Sequence, residues 1–353
     1  MYITGLGTAV PEQQYRQEEG WAALQQAPQF SGLTTRSHTI LRKVLTGANG
    51  IATRHLALDQ LSDAFALDPD TLHARFARHA PELATTAATR ALAAAGTAPA
   101  EIDALIISTC TGYLCPGLTS YVGERLGLRP DALGLDLVGQ GCGAALPNLR
   151  TGEALLAGGR ARRVLSVCVE VCSAAMYLDD DPGVLISACL FGDGAGAAVL
   201  APEPGPGPGR RVEWRQTASR VVPADRELLR FEQRRGMLRN LLSPAVPAAA
   251  ARHAGALLEE TLTAAGLREG DIATWIWHAG GREVLLALQA RLNLTAEDTR
   301  WSAAVLRDFG NISSPCVYFA LVGALAGGAP PGNWWLGSFG AGFSCHGALL
   351  RVE

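Results

Sequence analysis

The sequence predicts an α/β fold made of two similar halves, and three observations carry that prediction. Apolar strand-like runs alternate with helical stretches along most of the 353 residues. A proline- and glycine-rich linker, APEPGPGPGR at 201–210, divides the chain. The region before the linker can be laid over the region after it, largely at one offset of 169 residues.

Taken in order, MYITGLGTAVPE reads as a first strand and turn, without the charged and apolar segments of a signal peptide. PELATTAATRALAAAG (81–96) is an amphipathic helix closed by glycine. IDALIIST (102–109) and RRVLSVCVE (162–170) are short apolar strands of the kind buried on both faces of a parallel sheet. Between them, TSYVGERLGL (119–128) and NLRTGEALLAGG (148–159) read as helices. The linker assigns the two halves to residues 1–205 and 206–353.

The overlay is specific. ALIISTCTG (104–112) falls on TWIWHAGG (274–281), with Ile107 over Ile276 and Gly112 over Gly281. GQGCGAALPNLRTGEALLAGG (139–159) falls on DFGNISSPCVYFALVGALAGG (308–328) at the same offset. FGDGAGAAVL (191–200) falls on FGAGFSCHGALL (339–350) at an offset of 148, and a slip of about three residues interrupts the match at RLGL and RLNL. Cys142 thereby corresponds to Asn311, and Thr109 to His278. Each is expected after a strand, in a glycine-containing turn before a helix, where parallel sheets collect ligands at their carboxyl ends. Halves related by a pseudo-twofold axis would bring Cys142, His278 and Asn311 together.

Composition narrows the function. Hydrophobic residues make up 48% of the chain and charged residues 18%, ample for a large core. A net charge of -3 with no basic stripe argues against nucleic acid, and no apolar run reaches membrane-spanning length. The eight cysteines form no C-x-x-C pair and meet no histidine cluster, so reduced thiols in a cytoplasmic protein without a metal site are expected.

Each candidate also has a plainer reading. Cys142 could be a small apolar filler, His278 a satisfied core histidine, and Asn311 a residue tolerating a left-handed turn. FGDGAGAA lacks the Lys-Ser/Thr of a phosphate loop and reads as a glycine-rich strand and turn against the site. The run Asp179, Asp180, Asp181 reads as a solvated loop rather than a metal site.

Four motifs carry a resemblance: GQGCGAA around Cys142, CLFGDGAGA around Phe191, HAGG at His278 and GNISS at Asn311. The chain resembles the thiolase superfamily, and within it the chalcone synthase-like type III polyketide synthases, from GLGTAVP to GSFGAGFSCHGALLRV. The resemblance implies a duplicated thiolase-like fold, two βαβαβαββ halves layered α-β-α-β-α. It implies an acyltransferase with a Cys142–His278–Asn311 triad, a homodimer, and no cofactor beyond CoA thioester substrates. An acyl-CoA starter would load onto Cys142, and malonyl-CoA would lose carbon dioxide to give an enolate that extends it.

The chemistry fits these residue types. A thiolate attacks thioesters, so Cys142 needs a lowered pKa, which a helix N-terminus and a His278 imidazolium would supply. Flanking Gly141 and Gly143 allow a sharp turn and close substrate approach. His278 and the Asn311 amide are donors suited to a developing enolate oxygen. The Cys142 N–H and the loop containing Gly337, Ser338 and Gly340 would form an oxyanion hole.

By resemblance, Phe191 matches one of two gatekeeper phenylalanines, and the other falls on Asn240 in RNLLSPAVP. Cys110, Thr111, Cys172 and Ala175 map to the cavity, with Ser313 beside them. Cys115 in LCPG replaces a methionine that reaches into the partner's cavity in chalcone synthases, so a chalcone product is not expected. Arg42 and Lys43, in a segment similar to the family's N-terminal stretch, are candidates for CoA phosphate contact and could equally be surface charges. The C-terminal SFGAGF is closer to initiating ketoacyl synthases, which condense once with malonyl on an acyl carrier protein. That single condensation, and a silent acyl-binding partner subunit, are the competing readings.

Overall fold

A computed structural model describes residues 1–205 and 209–353; residues 206–208, within the predicted linker, lie outside the described residues. The first half runs β1 (Tyr2–Ala9), β2 (Gln14–Arg16), α1 (Gln17–Gln26), α2 (Pro28–Ser31), α3 (Thr35–Thr46), β3 (Thr53–His55) and α4 (Pro69–Ala95). It continues β4 (Ala104–Thr109), α5 (Leu118–Leu126), β5 (Leu133–Val138), α6 (Ala145–Ala157), β6 (Val164–Glu170), α7 (Pro182–Leu190) and β7 (Gly194–Ala201). The second half runs β8 (Val212–Val221), β9 (Leu229–Arg234), β10 (Met237–Leu242), α8 (Val246–Ala265) and β11 (Ile272–Trp277). It closes with α9 (Arg282–Leu292), α10 (Arg300–Phe309), α11 (Cys316–Ala326), β12 (Gly332–Gly340) and β13 (Ser344–Val352).

Nine strands form one mixed sheet in the order β11-β12-β13-β8-β1-β7-β6-β4-β5. β4 lies parallel to both β5 and β6, and β11 lies parallel to β12. The halves meet where β1 and β8 pair at Tyr2–Glu213 and Ile3–Val212. Helices α6 and α11 fill the middle, with α4 and α5 outside the first half and α8 outside the second. The result is the α-β-α-β-α layering of a thiolase-like fold. β4 and β6 are buried at every position, as expected for strands covered on both faces.

The duplication is imperfect at one place. Where the first half has β5, the second has helix α10, because RWSAAVLRDF buries Ser302, Val305 and Leu306 at helical spacing. Asn311 therefore follows a helix, and the strand expected before it is corrected. Helix α4 also begins earlier than residue 81: Asp68 caps it, its side chain accepting from Thr71 N at 2.9 Å, and Pro81 lies inside it. Its alanines 80, 84, 87, 88 and 91 are buried against the sheet, a flat face that lets helix and sheet approach closely.

The acidic run lies in a solvent-facing loop, as expected, and its side chains also hold neighbouring elements. Asp180 Oδ1 accepts from Thr34 N (2.9 Å), Thr34 Oγ1 (2.9 Å) and Ser37 Oγ (2.6 Å) at the start of α3. Asp181 caps α7, accepting from Gly183 N at 2.8 Å, and Asp179 pairs with Arg239 at 2.7 Å. All eight cysteines are free thiols. Among the described residues, no helix is long and apolar enough to cross a membrane, and no cluster of acidic, cysteine and histidine side chains is arranged to hold a metal.

Asp193, in FGDGAGAA, is fully buried and bolts two loops to the start of β7. Its carboxylate accepts from Ala57 N (2.7 Å), Ser173 N (2.8 Å) and Ser173 Oγ (2.6 Å). Asp193→Ala strands those donors in the interior, so we expect a loss of about 3 kcal/mol in urea unfolding. A loss under about 1 kcal/mol would show that the loops hold without it.

Candidate active site

Cys142 lies in a short 3-10 turn, Gly141–Gly143, between the end of β5 and the start of α6. Gly141 adopts φ 57°, the left-handed region open to glycine without strain. The turn is clamped from the other half. A Cβ on Gly340 would lie 2.5 Å from Gly143 N, and Ser338 Oγ donates to Gly143 O at 3.1 Å. Gly337 O accepts from His278 N at 2.8 Å, so β12 reaches from the histidine to the cysteine turn.

Burial dominates the electrostatics of the site. Cys142 is 8% exposed and His278 is 2% exposed. Removal from water pushes the Cys142 thiol up to about 12, against a hydrogen bond from Ser313 that pulls it down. It pushes the His278 imidazole down to about 4. Burial thus opposes the lowering expected for the thiol. His278 Nδ1 is buried with no hydrogen-bond partner among the described residues, its ring lies edge-on to Phe339 at 5.3 Å, and a Cβ on Gly280 would come within 3.2 Å of its Nε2.

Ser313 links the cysteine to the asparagine. Its backbone sits at φ 54°, a strained position for a non-glycine residue, and its N–H donates to Asn311 Oδ1 at 2.9 Å. Its hydroxyl lies 3.2 Å from Cys142 Sγ and 3.3 Å from Glu170 Oε1, with one proton to give. Asn311 Nδ2 donates to Gly280 O at 3.0 Å, two residues beyond His278, and its second amide hydrogen has no acceptor among the described residues. The backbone of Asn311 also grips both sides of Phe191, donating to Leu190 O (2.9 Å) and accepting from Gly192 N (3.0 Å). Arg54, buried under α7, donates to Ala188 O and Phe191 O at 3.0 Å each, which fixes the same segment.

One cavity lies in front of Cys142. Phe191, Asn240, Cys110, Thr111, Cys172, Ala175 and Ser313 all line it. Cys115 does not; it is exposed, in the loop after β4 that also carries Tyr113. Arg42 and Lys43 are exposed on α3, whose inner face, through Leu41 and Leu45, packs on α7 behind the cavity.

Several residues of the site were not foreseen. Glu170, with no exposure, accepts from Cys110 N (3.0 Å), Thr111 Oγ1 (2.9 Å) and Ser314 Oγ (2.7 Å) directly behind the cavity wall. Burial pushes its carboxyl up while those bonds pull it down. The sequence signal was an acid ending an otherwise uncharged strand, VLSVCVE. Phe231, Met176 and Tyr177 also line the cavity. Phe231 lies on β9 directly opposite Asn240 on β10, so an aromatic ring stands beside the non-aromatic gatekeeper position.

Comparison with known proteins shows the family. Sequence models of the chalcone and stilbene synthases match residues 2–204 with their N-terminal domain and 214–329 with their C-terminal domain. The chain is 30% identical to 3,5-dihydroxyphenylacetyl-CoA synthase of Streptomyces toyocaensis, over 99% of this chain and 89% of that protein. It is 31% identical to 1,3,6,8-tetrahydroxynaphthalene synthase of Streptomyces peucetius subsp. caesius, over 99% of this chain and 92% of that protein. Among solved structures, the bacterial type III polyketide synthase 1,3,6,8-tetrahydroxynaphthalene synthase of Streptomyces coelicolor A3(2) superposes with a TM-score of 0.87 at 25% identity, covering 100% of this chain and 99% of that one. PKS-I of the brown alga Ectocarpus siliculosus superposes with a TM-score of 0.89 at 26% identity, covering 99% and 98%. Family models over both halves, and relatives matched along 99% of the chain, make it a member of the chalcone and stilbene synthase family of type III polyketide synthases.

Proposed function

We propose that the protein takes an acyl starter from a CoA thioester onto Cys142 and extends it with malonyl-CoA by decarboxylative Claisen condensation, repeatedly, before ring-forming release. The observation that carries this reading is the cavity of small, polar and aromatic side chains with Cys142 in its wall. In this reading residues 1–205 contribute the nucleophile, and residues 206–353 contribute His278 and Asn311.

Burial of both groups bears on the order of proton movements. Neither a lone thiolate nor a lone imidazolium is favoured in the buried site, so the thiol proton passes to His278 as sulfur attacks the thioester carbonyl. The Cys142 N–H, braced by Ser338 and Gly340, receives the developing oxyanion. In the extension step neutral His278 and the free Asn311 amide hydrogen stabilise the enolate oxygen left when malonyl-CoA loses carbon dioxide. Arg42 and Lys43 contact CoA phosphates on the outer face of α3, and no cofactor takes part. CoA thioesters are the substrates, with an acyl carrier protein as the alternative carrier of malonyl groups.

The assembly we propose is a homodimer joined along β5. That strand is one of the sheet's two edges and, unlike the mostly buried β11 at the other, is largely exposed, with Leu133 at 44% and Val138 at 57% exposure; Tyr113 is 70% exposed. Cys115 would then face the partner. Light scattering should give twice the chain mass, and Val138→Lys should shift it toward one; a monomeric wild type would contradict the assembly.

The reaction is tested by intact-mass and product spectrometry with malonyl-CoA and a panel of acyl-CoAs, beside Cys142→Ala. We expect an acyl adduct that is absent in the variant, and cyclised products of several extensions. A product of one extension would contradict iteration, and an adduct that persists in Cys142→Ala would contradict the nucleophile.

A further inference from the structure

Asn240 is 5% exposed, and neither its Nδ2 nor its Oδ1 has a partner among the described residues. Buried carboxamides are almost always hydrogen-bonded, so a side chain with both ends idle demands an explanation. This one lines the cavity that also contains Cys142. It is not idle through slackness. Its neighbour Arg239, on the opposite face of β10, is locked to Asp179 (2.7 Å), Glu232 (3.1 Å) and Asp181 (3.5 Å). The strand is thereby fixed to the segment leading into α7, and Phe231 flanks Asn240 across the hairpin.

We propose that Asn240 is a specificity-determining residue that hydrogen-bonds oxygen on the acyl chain and so selects β-oxygenated acyl groups over alkyl ones. The class that satisfies it is a 1,3-dicarbonyl: its keto oxygen accepts from Nδ2, and its enol hydroxyl donates to Oδ1. An alkyl chain would enter the same space and leave both ends of the amide stranded, which is how a polar pocket rejects an apolar isostere. The growing product of a condensing enzyme carries such oxygens, so Asn240 would favour continued extension over loading of a fresh alkyl starter. The inference rests on Cys142 being the acyl-accepting thiol.

Acetoacetyl-CoA and butyryl-CoA have chains of equal length and differ by one carbonyl in place of a methylene. In each loading step a Cys142 sulfur–acyl bond forms, the CoA sulfur–acyl bond breaks, and CoA leaves with the thiol proton. Loading rates by intact mass, for wild type and Asn240→Leu, give an acetoacetyl-to-butyryl ratio for each. We expect the ratio to fall about tenfold in Asn240→Leu, the worth of one hydrogen bond made to substrate. An unchanged ratio overturns the inference alone; wild type that loads from neither thioester overturns the reading of Cys142 and the inference with it.

Thermal unfolding separates recognition from a structural role. With no partner for its amide among the described residues, Asn240→Leu should melt at or above wild type. A fall of more than about 5 °C would mean that the amide holds the fold, and would overturn the proposal. Asn240→Asp, which keeps shape but loses the Nδ2 donor, should also lower the ratio, and an unchanged ratio there overturns the role given to Nδ2.

Discussion

The buried carboxyl group of Glu170 ties the two halves of the molecule together beside Cys142. From the first half, Cys110 N and the Thr111 hydroxyl donate to it; from the second, the Ser314 hydroxyl does, with the Ser313 hydroxyl 3.3 Å away. Such a group is costly to bury unless donors surround it, so its neighbours are held in place by the need to satisfy it. Ser313 accepts a strained backbone conformation and reaches Cys142 from there. Asn311 holds Ser313 by its N–H and grips Phe191 by its own backbone. One satisfied carboxylate thus fixes the thiol's neighbour, the cavity wall and the asparagine together.

Enclosure has an electrostatic consequence. It drives the thiol up to about 12 and the imidazole down to about 4, which disfavours a lone charge on either group. The same enclosure makes Asn240 conspicuous, because a carboxamide without partners is tolerable only where something else comes to meet it.

Much of this was legible in the sequence. The strands around Ile107 and Val167 are apolar throughout, and the overlay of the halves marked Cys142, His278 and Asn311 without any structure. The overlay misled at β5, whose counterpart α10 keeps the position of Asn311 in the chain while changing the element before it. Glu170 was missed because a lone acid at the end of a strand reads as a solvent-facing charge; only tertiary packing surrounds it with donors. Phe231 was missed for a related reason. It lies in LRFEQRRGMLRN, a charged stretch that looks like surface, and the turn at Arg235 and Gly236 (φ 53° and 77°) folds it beside Asn240. The aspartates at 179–181 look alike in sequence yet hold an arginine, one helix start and another.

The central claim is a division of labour, in which Cys142 carries the acyl group while His278 and Asn311 manage the enolate. The most direct test is malonyl-CoA decarboxylation by Cys142→Ala, measured as acetyl-CoA released, with and without His278→Ala in the same chain. The account predicts that Cys142→Ala still decarboxylates, at a rate flat from about pH 6 to about pH 8, since the imidazole gains a proton only near 4. Adding His278→Ala should lower that rate by about a hundredfold or more. Decarboxylation that vanishes with Cys142 alone, or that survives the loss of His278, would contradict it.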